Sequence, residues 1–191
     1  VENPPNEVTK LKSAIALSSN DSIETLEKVL ETDAENISVL GRLCIISRTE
    51  NAEKALQYCQ KASQLEPKEI NHAIGFGAAL VKLKRNVEAV NLFKKLLAIS
   101  PENYTIKANL ATALFQLERF EEAKKEYQWI IEKQPDLAVA YYFLAISHDR
   151  LQEYLDAMAN YQQFLRLADD SLQLEKDKVN LRLPTLQTQI K

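Results

Sequence analysis

The stretch "RFEEAKKEYQWIIEKQPDLAVAYYFLAISHDRLQEYLDAMANYQQFLRLAD", residues 119–169, consists of two similar halves. Four side chains of the first half return 34 residues later with the same spacing: Phe120, Ala123, Tyr127 and Ile130 become Tyr154, Ala157, Tyr161 and Phe164. Steps of three and four residues place side chains on one face of an α-helix. Each half therefore predicts an amphipathic helix, and the pair predicts a repeat.

The same 34-residue interval extends well beyond this stretch. Pro67, Pro101 and Pro135 are 34 residues apart, and Asp169 takes the next place in the series. An alanine stands twelve residues before each of these positions: Ala55, Ala89, Ala123 and Ala157. An aromatic residue or a cysteine follows each alanine by four residues: Cys59, Phe93, Tyr127 and Tyr161. A fixed period of this length indicates stacked structural units that bury a continuous core.

Each unit contains another apolar stripe, which comes earlier in the sequence than the stripe with the alanine and the aromatic residue or cysteine. This stripe carries a small residue, Gly77, Ala111 or Ala145, which we expect opposite Ala89, Ala123 or Ala157, so that the two helices approach closely. The polar connectors between the stripes are short enough for only an antiparallel turn. The prolines end the second helix of each unit, and Asn103 is placed to cap the next first helix. Each unit is thus predicted to be a helical hairpin.

At this point the sequence resembles the tetratricopeptide repeat family. The match covers residues 70–171, with Lys107 as a departure where a large apolar residue is usual. The resemblance implies an all-α fold, a right-handed superhelical array of antiparallel helix hairpins. It also implies that the first helices line a concave groove while the second helices face outward.

The register divides the chain into six segments. Residues 1–36 are predicted to be a disordered lead-in and a degenerate helical hairpin. One repeat of reduced length and three full repeats follow, at residues 37–69, 70–103, 104–137 and 138–171. Residues 172–191 are predicted to be a C-terminal capping helix, because Val179, Leu183, Leu186 and Ile190 share one face. Pro184 is expected to kink this helix or to begin a second short one.

Composition narrows the function classes. Lys and Arg number 24 against 27 for Asp and Glu, a net charge of −3, which disfavours nucleic acid as a partner. No apolar run approaches the roughly 20 residues that span a bilayer, so direct membrane insertion is not expected. We expect a soluble protein with the cytoplasm favoured, although a targeting segment could precede Val1.

The sequence offers little chemistry for catalysis. It contains no glycine-rich phosphate loop, no paired-histidine metal helix and no glycine-flanked serine. His148 is interpreted as a histidine of the hairpin core that is hydrogen-bonded locally. Cys44 and Cys59 fall on facing stripes of one hairpin, either as a disulfide or as two small core residues. We predict that the protein is not an enzyme and has no cofactor and no metal.

The predicted function is a protein-interaction scaffold that binds a peptide or protein segment in the groove of the array. The residues expected to line the groove are these: Asn71, Ala78, Asn109, Thr112, Phe115, Tyr142, Phe143, Ile146 and Arg150. Aromatic rings anchor many interfaces, yet Tyr142 and Phe143 could instead pack against neighbouring helices. The alternative function is a structural or assembly subunit that uses its outer faces or edges, including self-association.

Overall fold

A computed structural model describes residues 22–190, which form ten α-helices. In chain order the helices are α1 Ile23–Thr32, α2 Ile37–Glu50, α3 Ala52–Leu65, α4 Ile70–Lys82, α5 Asn86–Ile99, α6 Tyr104–Gln116, α7 Phe120–Lys133, α8 Ala138–Arg150, α9 Tyr154–Leu167 and α10 Gln173–Gln189. A short 3₁₀ turn, Asp170–Leu172, precedes α10. The predicted lead-in, and most of the first half of the hairpin expected before α2, lie outside the described residues.

Consecutive helices pair into antiparallel hairpins, and the hairpins stack in chain order. The pairs are α2 with α3, α4 with α5, α6 with α7 and α8 with α9, and each second helix contacts the next first helix. First helices also contact each other, α2 with α4 and α4 with α6. The predicted all-α, right-handed superhelical array of hairpins is confirmed. We call the surface formed by α2, α4, α6 and α8 the inner wall.

The turn inside each of the last three hairpins is built in the same way. Lys84, Glu118 and Gln152 have positive φ angles of 60°, 58° and 63°. The next residue's N–H in each case closes a hydrogen bond to a carbonyl five residues back, as from Arg119 to Leu114 at 3.0 Å. A residue with positive φ at this place is a common helix ending, usually occupied by glycine. These hairpins therefore turn on left-handed residues that carry a side chain.

Replacing Glu118 with glycine is expected to stabilise the protein by about 0.5 to 1 kcal/mol. A left-handed conformation costs an L-residue about 1 to 2 kcal/mol, of which the extra entropy of unfolded glycine offsets about 0.5 to 1. Chemical denaturation of the variant and the wild type measures the gain. Glu118→Ala is the control, since it keeps the Cβ atom; an equal gain in both variants would contradict this explanation.

Helix pairing depends on small residues where the axes come close. Ala111, Ala123, Ala145 and Ala157 have no exposed surface. A Cβ atom added to Gly77 would lie 2.5 Å from two ring carbons of Phe93. The space over Gly77 is thus filled by the Phe93 ring rather than by Ala89, the neighbour expected from the sequence. A glycine on the first helix lets a large buried ring come from the second.

The hairpin of α2 and α3 contains a disulfide. Cys44 of α2 and Cys59 of α3 are bonded to each other and almost completely buried. Gly75 of α4 lies directly against the bond, because an added Cβ atom would be 2.7 Å from the Cys44 sulfur. Of the two readings of these cysteines that the sequence allows, the structure contains the disulfide. It joins both helices of one hairpin at the point where the next hairpin packs.

The C-terminal helix α10 packs on the last hairpin through its predicted apolar face. Val179 and Leu186 are buried in one cluster with Phe164 and Tyr161 of α9. Of the two expectations for Pro184, the start of a second short helix is wrong, because α10 runs unbroken from Gln173 to Gln189 through Pro184. Proline removes the hydrogen bond to the carbonyl four residues earlier, here that of Asn180, an exposed residue whose carbonyl water can reach.

Candidate functional site

The nine predicted groove residues all belong to first helices. Asn71 and Ala78 are on α4, the next three are on α6, and Tyr142, Phe143, Ile146 and Arg150 are on α8. Asn71 and Arg150 are exposed, and the others are half-buried. The candidate site is therefore the inner wall, and the contacts of each side chain decide what it can offer to a partner.

The two polar residues of α6 are already bonded to their own helix. Asn109 donates from Nδ2 to the carbonyl of Thr105 at 2.8 Å, and the Thr112 hydroxyl donates to the carbonyl of Ala108 at 3.0 Å. These bonds hold both side chains in place along the helix surface. The acceptor oxygen of the Asn109 amide has capacity for a further bond.

Phe115 and Phe143 belong to an aromatic cluster that joins the last two hairpins. The Phe115 ring meets Phe143 edge to face at 4.9 Å, and Phe120 at 5.6 Å. Phe143 stacks on Tyr127 with ring centres 5.7 Å apart. Aromatic pairs of this kind contribute about 0.5 to 1.5 kcal/mol beyond their burial. Both rings therefore make contacts between the hairpins.

Tyr142 lies in a cleft of about 550 Å³ between α8 and α10. We call this the C-terminal cleft; its lining consists of Tyr142, Ile146, Asp149, Arg150, Gln152, Tyr154, Tyr161, Lys178, Val179 and Arg182. Its ring contacts Phe164 at 5.1 Å and Phe143 at 5.4 Å. Burial raises the pKa of Tyr142, and the nearby Glu175 carboxylate adds to this rise. Three of the nine predicted residues, Tyr142, Ile146 and Arg150, meet here.

An ion pair fixes α10 against this cleft. Arg182 donates from Nε and an Nη atom to the two carboxylate oxygens of Asp149, at 2.8 and 2.6 Å. The Tyr161 hydroxyl donates to the same carboxylate at 3.4 Å. A two-point contact of arginine with a carboxylate is both strong and directional. These contacts orient α10, and they occupy both oxygens of the Asp149 carboxylate.

Two further clefts are lined in part by residues of the inner wall. A cleft of about 320 Å³ adjoins the C-terminal cleft, and both are lined by Ile146 and Arg150. At the other end of the array a cleft of about 610 Å³ lies over Gly41 and Gly75, and Asn71 is part of its lining. Its wall includes the Ile45 side chain, which is 56% exposed. The inner wall thus has depressions at both ends.

Lys107, the departure from the repeat pattern, has an aromatic partner. Its ammonium lies 4.7 Å from the centre of the Trp129 ring and 3.4 Å from a carboxylate oxygen of Glu126. A cation over an aromatic face is attracted by the ring's electron density. The long apolar stem fills the packing position while the charge reaches the second helix, which explains why a lysine fits there.

A network of polar side chains joins α7 to the last hairpin. The Lys124 ammonium donates to both carboxylate oxygens of Glu153, at 2.7 and 2.8 Å, and Nδ1 of His148 lies 2.6 Å from one of them. His148 is buried, as its interpretation as a core histidine requires. His148, Glu153 and Asp156 come close enough together to hold a metal ion. The Lys124 charge disfavours a cation there, so the group acts as an ion-pair network.

This ion-pair network predicts that the folded protein loses stability at acidic pH. The bond from Lys124 lowers the pKa of Glu153 below 4.5, partial burial opposes the shift, and the bond to His148 supports it. Because the folded-state pKa is lowered, the stabilisation is complete above pH 4.5 and is lost as the pH falls through the folded-state value. We expect Glu153→Gln to lower the urea midpoint at pH 7 and to cost less at pH 3. Glu132→Gln, at an exposed position, is the control; an equal cost of Glu153→Gln at both pH values would contradict this role.

With this geometry in place, comparison with known proteins is informative. The tetratricopeptide repeat family model matches residues 80–146, from the last three residues of α4 to the third turn of α8. The chain contains tetratricopeptide repeats. The match covers the hairpin of α6 and α7 and parts of its neighbours, and it supports a protein-interaction scaffold role in general.

Solved structures share the fold of this tetratricopeptide array. MamA from Desulfovibrio magneticus RS-1, from residue 41 to its end, superposes with a TM-score of 0.69 at 19% sequence identity, covering 81% of this chain and 90% of that chain. A tetratricopeptide repeat protein from Parabacteroides merdae superposes with a TM-score of 0.63 at 16% identity, covering 87% of this chain and 70% of that one. At sequence identities this low, the similarity shows a shared fold alone.

One part of the C-terminal cleft was missed by sequence reasoning. Lys178 and Arg182 of α10 contribute half of its charged lining, whereas the sequence predicted groove residues on the repeats alone. The apolar face of α10 was visible as a pattern, but the pattern does not show which polar residues of that helix turn toward α8. None of the helices between residues 22 and 190 has the length and hydropathy that crossing a lipid bilayer requires.

Proposed function

We propose that this protein is a non-catalytic scaffold that binds an extended segment of a partner protein along the inner wall of the array. The observation that carries the proposal is the position of the clefts. Asn71 lines the depression at one end, and Tyr142, Ile146 and Arg150 line those at the other. A segment that crosses Ala78 and Asn109 would connect them.

The chemistry of the wall fits a protein segment. Ile45 and Ile146 supply apolar contact, and Tyr142 adds a rigid ring with a polar tip, which interfaces favour. The Asn109 amide has an acceptor for a backbone N–H. The clefts are shallow and open, and suit side chains of a bound chain better than an enclosed small molecule.

Tyr142→Ala tests the proposal. We expect it to reduce capture of protein partners from the native organism, measured by affinity purification with quantitative mass spectrometry. Because Tyr142 contacts Phe143 and Phe164, the helical content and the unfolding midpoint of the variant are checked beside it. Leu155→Ala on α9, where the side chain is 63% exposed, is the control. Unchanged capture by a folded Tyr142→Ala protein would count against the inner wall.

A second candidate is an assembly subunit that uses its outer faces. Large apolar side chains are exposed on second helices and on α10, namely Leu65, Val87, Ile99, Leu155, Leu174 and Leu181. Contact between copies of this chain would bury such side chains, so self-association is one use for them. Sedimentation equilibrium over a wide concentration range separates the candidates, because a mass that rises with concentration supports the assembly role.

A further inference from the structure

The C-terminal cleft has an unusual charge balance for a chain with a net charge of −3. Four charged side chains line it: Asp149, Arg150, Lys178 and Arg182. Asp149 and Arg182 neutralise each other. Two cations then remain, and among residues 22–190 neither Arg150 nor Lys178 has an acidic partner within 4.0 Å. The lining thus carries a local positive charge.

The uncharged part of the lining adds hydrogen-bond donors. Tyr142 and Tyr154 line it, and neither hydroxyl has a hydrogen bond to any other described residue. The acceptor that could satisfy them, the Asp149 carboxylate, is held by Arg182 and Tyr161. A site with free donors and an occupied acceptor favours a ligand group that only accepts, and an ionised carboxylate is such a group.

An apolar surface continues from the cations toward the adjoining cleft. Ile146 and Arg150 belong to both clefts, and Phe115 and Phe120 line the second one. The opposing charges nearby are few: Glu118 lines the second cleft, and the charge of Glu175 acts on Tyr142. A bound chain could therefore place a carboxylate between Arg150 and Lys178 and an apolar side chain beside Ile146.

We propose that the C-terminal cleft binds an acidic segment of a partner protein, with Arg150 and Lys178 contacting its carboxylates and Tyr142 and Ile146 contacting an adjacent apolar side chain. This inference rests on the proposed function and narrows it to one class of partner. A protein segment is favoured over a nucleic acid, because two cations in one short cleft do not follow a phosphate backbone, which needs a longer basic track.

The test uses the full chain and a random 12-residue peptide library displayed on phage. Enriched peptides are synthesised with a fluorescent label, and their binding is measured by anisotropy at low and high salt. We expect peptides that combine Asp or Glu with an apolar residue, whose affinity falls as salt rises. The Arg150→Ala/Lys178→Ala double variant should bind them at least tenfold more weakly.

A matched control removes the same charge elsewhere. Lys95 and Lys125 are exposed on α5 and α7, and the Lys95→Ala/Lys125→Ala variant should bind as the wild type does. One outcome would overturn this inference and leave the proposed function standing. In that outcome the enriched peptides have no acidic residues, bind the Arg150→Ala/Lys178→Ala variant as tightly as the wild type, and do not bind Tyr142→Ala. Peptides insensitive to every one of these changes would count against both. A labelled 20-nucleotide poly-dT is the nucleic-acid arm, and tighter binding of it than of any peptide would overturn the choice of a protein partner.

Discussion

Phe93→Ala is expected to lower the free energy of unfolding by about 3 to 5 kcal/mol, the usual cost of removing a buried phenylalanine ring. Phe93 has no exposed surface, and its ring fills the space over Gly77. In a stack of hairpins each unit depends on contacts within itself and with its neighbours. Loss of this ring should therefore loosen the hairpin of α4 and α5 and its contacts with α6. Urea denaturation followed by circular dichroism measures the cost.

The contact between Gly77 and Phe93 can be isolated by a double-mutant cycle. Gly77→Ala places a methyl group 2.5 Å from the ring, and overpacking of this kind costs about 1 to 3 kcal/mol, partly offset by the better helix propensity of alanine. Phe93→Leu removes the outer ring atoms. We expect the double variant to be clearly more stable than the sum of the single effects predicts.

Gly41→Ala is the matched control for the cycle. Its added Cβ atom would meet only the end of the His72 ring at 3.0 Å, and that flexible side chain can move. The variant should be tolerated with or without Phe93→Leu. If the effects of Gly77→Ala and Phe93→Leu on the free energy of unfolding were additive, α4 and α5 would not approach closely at Gly77.

Reduction of the Cys44–Cys59 bond is expected to lower the free energy of unfolding by about 3 kcal/mol. The bond closes a loop with a sequence separation of 15, and a loop of about 15 residues gives this value in the chain-entropy account of disulfides. The measurement is the urea midpoint of the wild type with and without a reducing agent.

The Cys44→Ala/Cys59→Ala variant is the control for this experiment. It should unfold at the same urea concentration with and without the reducing agent, because it has no bond to lose. Alkylation after denaturation without reductant, followed by intact mass measurement, tests the bond itself. Two alkylated cysteines in the wild type, or a midpoint that reductant leaves unchanged, would contradict the pairing.

The array could be predicted from the sequence because its packing depends on periodic residues. Ala123 and Ala157 recur 34 residues apart and are completely buried, as a helix crossing requires. Asn103 caps α6 by accepting from the N–H of Ile106. Each of these signals depends on one residue type at one position of the repeat. A single sequence is therefore enough to recognise them.

The remaining features depend on contacts between segments distant in sequence. Gly75 lies against a disulfide of the preceding hairpin, a contact that the pattern of its own helix does not show. Phe115 and Phe143 were predicted as ligand contacts, and the sequence did not show that their rings also meet across two hairpins. Arg182 pairs with Asp149 across the C-terminal cleft. Helical period gives the face on which a side chain lies but does not identify the element that covers it.

The most direct test of binding along the inner wall is site-specific photo-cross-linking in the native organism. A photoreactive phenylalanine analogue is placed at Asn109 or Arg150 on the inner wall, and at Val87 or Leu155 on exposed outer positions. The account predicts covalent adducts with a partner protein from Asn109 and Arg150 and none from Val87 or Leu155. Adducts from Val87 and Leu155 alone would contradict it and would place the interaction on the outer helices.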